Sequence, residues 1–226
     1  MEDIIYNAAF VSILQIIAID IILGGDNAIV IALACKNLPE KQRKLGIFYG
    51  ALGAIVLRVI MVFFATTLLM VSGLKIIGGL LLFWIAVKLI LDSNKTNVVN
   101  ISQEKNLIDA VKTIIIADFI MSLDNSVAIA AAANGNMYLV VFGLLLSIPI
   151  IIWGSSLILK FIDKYPIIIY LGSALLGWIA GDMIQTDILI KSKFDLIGNI
   201  GNSVLLPFAG SAFVLISSFL FKSLNK

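Results

Sequence analysis

The chain has 226 residues and a net charge of +2; 61% of its residues are hydrophobic, 13% are charged, and the mean hydropathy is +1.09. A soluble domain usually carries about 25% charged residues, so a water-soluble globule is excluded, and the small net charge speaks against nucleic acid as a partner. The single cysteine, Cys35, excludes an intramolecular disulfide, and the absence of histidine removes the commonest ligand of zinc, copper and nickel.

The apolar residues come in runs of roughly 17–25, enough to cross a hydrocarbon core of about 30 Å. The first predicted span, 4–34, begins with acidic residues where a secretory leader has basic ones, and is read as a span. As one straight helix it would be about 46 Å long, so an interruption is expected at Gly24–Gly25. Cys35 at its end reads as a small interfacial residue. The second span, 45–70, contains Arg58 and ends at a tight turn, Val71–Ser72–Gly73. The third, 74–91, contains Lys88. The fourth, 106–133, contains Lys112, Asp118 and Asp124. Spans at 137–159, 166–185 and 203–221 complete the set. The expected fold class is an all-α integral membrane protein, one transmembrane domain over 1–226 with seven transmembrane helices. Trp84, Trp153 and Trp178 read as packing or interface anchors.

Seven spans put the termini on opposite sides. Ten lysines and arginines (Lys36, Lys41, Arg43, Lys44, Lys95, Lys105, Lys160, Lys164, Lys222, Lys226) fall on one side and three (Lys75, Lys191, Lys193) on the other. The positive-inside rule then predicts an external N-terminus and a cytoplasmic C-terminus in the cell membrane.

The chain also repeats itself. Asp20 to Ala32 aligns with Asp118 to Ala130 at an offset of 98, sharing a D-x5-D-N pattern. Gly50 matches Gly143 at 93, and Gly78, Trp84 and Ala86 match Gly172, Trp178 and Ala180 at 94. Repeat one covers 4–91 and repeat two 106–185, three spans each, with 203–221 as an extra helix. An odd number of spans per half implies an inverted-topology repeat, as in many secondary transporters. Lys88 and Asp182 occupy matching positions, which allows either an ion pair across the pseudo-axis or ordinary snorkelling.

An ionised aspartate within a span costs about 2.5–3.5 kcal/mol. Four of them, Asp20, Asp26, Asp118 and Asp124, with Asn27 and Asn125, therefore read as functional. A continuous helix would set the two aspartates of each motif about 120° apart. Breaks at Gly24–Gly25 and at Ser122–Leu123 would turn both inward and build one pocket of four carboxylates and two amide oxygens. Oxygen donors suit hard divalent cations. Four carboxylates around one divalent ion leave two excess negative charges, which two protons or a second cation would balance. Arg58 is a candidate counter-ion that holds the carboxylates when no metal is bound; the structural alternative is that the carboxylates pair with Arg58, Lys88 or Lys112, or stay protonated. An intramembrane aspartyl protease is the competing enzyme reading; its aspartates lie in unlike motifs, one per span, whereas here each motif carries two and is duplicated.

These residues resemble the TerC family of integral membrane proteins, relatives of the LysE-type exporters. The resemblance rests on AIDIILGGDNAIVIALA at 18–34, ADFIMSLDNSVAIAAA at 117–132, the glycine-rich spans and Ser147–Pro149, and covers essentially the whole chain. It implies seven spans; no enzymatic activity and no cofactor are expected. It further implies export of Mn²⁺ from the cytoplasm, with Asp20, Asp26, Asn27, Asp118, Asp124 and Asn125 as the metal site. Calcium export, and a membrane scaffold for a metal or tellurite stress complex, are the alternatives. Proton exchange and self-association stay open.

Overall fold

The computed structural model describes residues 2–94, 103–133, 135–191 and 204–224. Lys95, Lys193 and Lys226 of the charge count, and Ser203 at the start of the last predicted span, lie outside the described residues. The described residues form eight helices: α1 Glu2–Leu23, α2 Gly25–Cys35, α3 Glu40–Leu69, α4 Leu74–Asn94, α5 Gln103–Ala132, α6 Met137–Lys164, α7 Ile167–Thr186 and α8 Leu205–Leu224. Five of them are long and apolar enough to cross a membrane, or six spans if the bent pair α1–α2 is counted as one. The apolar stretch of α8, Leu205–Leu220, is shorter.

Local chemistry sets the ends. The carbonyl of Pro39 accepts from the backbone N–H groups of Gln42 and Arg43 as α3 begins. The side chain of Asn136 accepts from the N–H of Tyr138 at 3.0 Å and caps α6. Gly73 stands at φ +85°, a left-handed conformation that a side chain disfavours, and so permits the short α3–α4 turn.

Lipid offers no hydrophobic gain for one helix meeting another, so close packing of small residues must hold the bundle. Gly50 and Gly53 of α3 lie against Ile114 and Ile115 of α5: an added Cβ would come within 2.5 Å and 2.7 Å of their side chains. The rising register shows that α3 and α5 run parallel. Gly143 of α6 seats Ile16 of α1 in the same way, at 2.6 Å. Gly79 of α4 meets the Ala180 carbonyl at 2.7 Å and Ile184 at 2.6 Å, so α4 faces the C-terminal part of α7. Large side chains such as Trp84, Phe142 and Trp153 point outward, as a lipid-facing surface requires.

The expected break in the first span is present. The axes of α1 and α2 differ by 51°, with Gly24 between them at φ −112°, ψ 9°. A Cβ on Gly24 would collide with the Asp20 carbonyl oxygen and lie 3.3 Å from Nη1 of Arg58. Gly24→Ala should therefore lower the thermal unfolding midpoint of the purified protein, whereas Gly154→Ala, which meets nothing within 4 Å, should leave it unchanged or raise it. Equal midpoints for both variants would remove the steric account of the break.

The second expected break is absent: α5 runs unbroken through Ser122–Leu123. This corrects the symmetric expectation. No glycine stands there, and the Ser126 hydroxyl donates to the Ser122 carbonyl, a bond compatible with continuous helix. Of the two readings left open for Lys88 and Asp182, the ion pair is not formed. Lys88 lies over the ring of Trp84 at 5.2 Å, while Asp182 faces Asp124 and Lys75. Residue 79 already opposes 180–184, so Lys88 is nine residues, or about 13 Å, farther along α4.

Candidate ion site in the helix bundle

Arg58, in the middle of α3, is 1% exposed. A buried guanidinium has five N–H donors and cannot give up its charge, so its surroundings must supply acceptors. Nη1 donates to Oδ1 of Asp20 on α1, and Nη2 donates to Oδ1 of Asp118 on α5. Nε donates to the Ser122 hydroxyl at 3.0 Å, and that hydroxyl donates in turn to Oδ2 of Asp118 at 3.2 Å. Asp20 and Asp118 are 1% and 2% exposed, and Ser122 is fully buried. One arginine thus joins the first aspartates of both D-x5-D-N motifs. Its guanidinium touches the matched positions Gly24 and Ser122: the missing side chain at one makes room, and the hydroxyl at the other accepts.

The break leaves backbone groups to satisfy, since unpaired carbonyls inside a membrane are costly. Asn125 Nδ2 donates to the Leu23 carbonyl at 2.9 Å, so the second motif holds the broken end of the first. The Asn27 N–H is shared between the Gly24 carbonyl at 3.0 Å and Oδ1 of Asp26 at 2.9 Å. Asp26, half-buried at the start of α2, interacts electrostatically with Arg58 and Asp118. The Asn27 side chain is buried with both Oδ1 and Nδ2 unpaired, and Oδ2 of Asp20 is also unpaired. A cavity of about 10 Å³, lined by Asn27, Asp118, Val30, Ile31, Ala54 and Ile114, adjoins the Asn27 side chain. It holds about one water-sized particle.

Asp124 takes another direction. Its Oδ1 pairs with Lys75 Nζ at 2.5 Å, on a side chain 45% exposed, with Asp182 nearby. The unbroken α5 explains this, because six helical residues turn Asp124 away from Asp118. The single pocket of four carboxylates is thus corrected: Asp20, Asp118, Asn27 and Asp26 gather around Arg58, Asn125 braces the break, and Asp124 joins Lys75. Among the described residues, no three Asp, Glu, Cys or His groups stand at metal-binding separation. Cys35 is buried beside Gly46 of α3, away from this cluster, and is a packing residue more than an interfacial one.

The sequence reading missed Ser122 as a partner, Lys75 as the counter-ion of Asp124, and Asp187. Asp187, 1% exposed, accepts from the Gly73 N–H at 2.9 Å and 3.1 Å and from the Leu189 N–H at 2.9 Å. It ties the α3–α4 turn to the end of α7. Asp187→Ala would leave the Gly73 N–H unpaired and should cost about 1–3 kcal/mol, seen as a lowered unfolding midpoint. An unchanged midpoint would mean that the tie is not structural.

A bundle of this kind, with an ion cluster buried among membrane-crossing helices, defines a multi-pass integral membrane protein. No solved structure matches the chain. The chain belongs to the integral membrane protein TerC family, whose pattern matches residues 6–226. It is 39% identical over 216 residues to the uncharacterized membrane protein YjbE of Bacillus subtilis, covering 96% of this chain and 97% of that one. It is 28% identical over 174 residues to the uncharacterized membrane protein YceF of the same organism, covering 74% and 67%. It is 24% identical over 164 residues to the UPF0053 inner membrane protein YgdQ of Escherichia coli K12, covering 66% and 69%.

Proposed function

We propose that the protein exports divalent cations, Mn²⁺ foremost, from the cytoplasm across the plasma membrane. The observation that carries this reading is the burial of Asp20 and Asp118 on either side of the Arg58 guanidinium, with Asp20 Oδ2 and the Asn27 side chain unpaired and buried. Carboxylate and amide oxygens suit a hard divalent cation. Buried ionisable groups among membrane helices mark ion pathways by default. Asp20, Asp26, Asn27 and Asp118 form the inner part of the path. Asp124 with Lys75, and Asn125, form its approach. Calcium is the alternative substrate of the same donors.

The architecture we infer is seven spans in two inverted repeats, with α8 as the seventh. Its support is a packing coincidence. Ile16 on Gly143 and Ile114 on Gly50 are the same contact made twice, at the offsets of 98 and 93 found in the sequence. The distribution of basic residues over the loops supports an external N-terminus and a cytoplasmic C-terminus. A reporter fused after Lys226 should be active only in the cytoplasm; activity outside the cell would reverse every loop.

The direct test is uptake of radioactive manganese into inverted membrane vesicles, with and without an imposed pH gradient. Vesicles containing the protein should accumulate manganese faster than vesicles lacking it. Equal rates with and without the gradient would rule out proton exchange, and no uptake above background for Mn²⁺ or Ca²⁺ would remove the exporter reading.

A further inference from the structure

Building on that reading, we propose that Arg58 is a tethered cation that fits the site to divalent ions and must yield a carboxylate when one binds. Three observations meet here. The guanidinium occupies the space between Asp20 and Asp118, where an ion held by both would sit. Asp20 Oδ2 and the Asn27 side chain remain unpaired and buried, and Asn27 lines the small cavity together with Asp118. Asp26 adds a third carboxylate within electrostatic range of Arg58.

The formal charges then close on a simple number. Asp20, Asp26 and Asp118 contribute three negative charges and Arg58 one positive, leaving two negative. Asp124 is neutralised separately by Lys75. One divalent ion brings the inner cluster to neutrality, whereas a monovalent ion leaves a deficit and a trivalent ion an excess. In a buried site an uncompensated unit of charge is strongly disfavoured, so the arginine acts as a specificity-determining residue. An arriving ion finds Asp20 Oδ2 and Asn27 Oδ1 free, takes them first, and competes with the guanidinium for Oδ1 of Asp20 or Asp118. Arg58 keeps its bond from Nε to Ser122 throughout and remains nearby to close the carboxylates again when the ion leaves.

The test measures binding by the purified full-length protein in lipid nanodiscs, with Mn²⁺ as the divalent probe and Tb³⁺ as the trivalent one. Arg58→Gln raises the formal charge of the cluster to three negative. It should bind both ions more tightly and shift preference toward Tb³⁺ by at least about tenfold relative to the wild type. Arg58→Lys should keep the wild-type preference. Because Arg58→Gln leaves carboxylates buried without their partner, a second variant guards against misfolding. Arg58→Gln combined with Asp118→Asn restores two negative charges and should return the Tb³⁺/Mn²⁺ ratio to near the wild-type value, at lower affinity for both. An unchanged ratio in folded Arg58→Gln, or a ratio in the double variant that does not return, overturns the role of Arg58. Absence of Mn²⁺ and Tb³⁺ binding in the wild type and all variants would instead defeat the cation-transport reading on which it rests.

Discussion

Asp118→Asn and Asp20→Asn should each reduce manganese export to near background while leaving membrane insertion intact. Asparagine keeps the size and one oxygen but loses the charge. Two unit charges 4 Å apart interact by about 4 kcal/mol at an effective dielectric constant of 20, close to about a thousandfold in affinity. Insertion should become easier, because the charge is what the membrane penalises. Asp26→Asn should follow closely. Asp124→Asn should lose least of the four, since its carboxylate is partly exposed and paired with Lys75 outside the inner cluster. Cys35→Ser should be tolerated by transport. The readout is manganese sensitivity of cells lacking their own exporters, with expression checked by immunoblot. Full rescue by Asp20→Asn with Asp118→Asn would end the case for these carboxylates as ligands.

The largest loss of stability is expected from Arg58→Ala. It strips two buried carboxylates of their shared partner and leaves the Ser122 hydroxyl without its donor. Breaking a buried ion pair from one side costs about 3–5 kcal/mol, which for a chain of this size lowers the unfolding midpoint by on the order of 10 °C. The penalty belongs to the stranded charges more than to the lost contact. Arg58→Ala combined with Asp20→Asn and Asp118→Asn should therefore recover most of the midpoint. A triple variant no more stable than Arg58→Ala would show that Arg58 acts by filling space.

Much of this fold could be read from apolar run lengths and from glycine. The predicted spans coincide with helices within a few residues, and Gly24–Gly25 announced the bend because glycine there removes both helix preference and bulk. The continuity of α5 could not be read in the same way. The expectation of a break at Ser122–Leu123 rests on the spacing of Asp118 and Asp124 and on analogy with the first motif, and neither carries the backbone energetics that a glycine pair supplies. The site was legible in its inner half. Asp20, Asp26, Asn27 and Asp118 cluster, and of the basic side chains in or near the spans it is Arg58 that holds Asp20 and Asp118. Asp124 escaped because its direction depends on whether the helix is broken. The Lys88–Asp182 match failed for a related reason: equal positions in two repeats fix equal depth only when the register between antiparallel helices is known.

The halves of this chain also divide their labour unequally. The N-terminal half supplies the bent helix, the gap at Gly24 and the arginine; the C-terminal half supplies the straight helix, the serine and the asparagine that grips the loose carbonyl of Leu23. Neither set is complete alone. Two copies of the second half would set two Asp118 side chains against each other with no guanidinium between them, and two copies of the first would crowd two guanidinium groups into room for one. A chain whose two motifs differ this much cannot be assembled from like halves. The likeness of the two motifs lies in their sequence, and their differences make each half obligatory to the other.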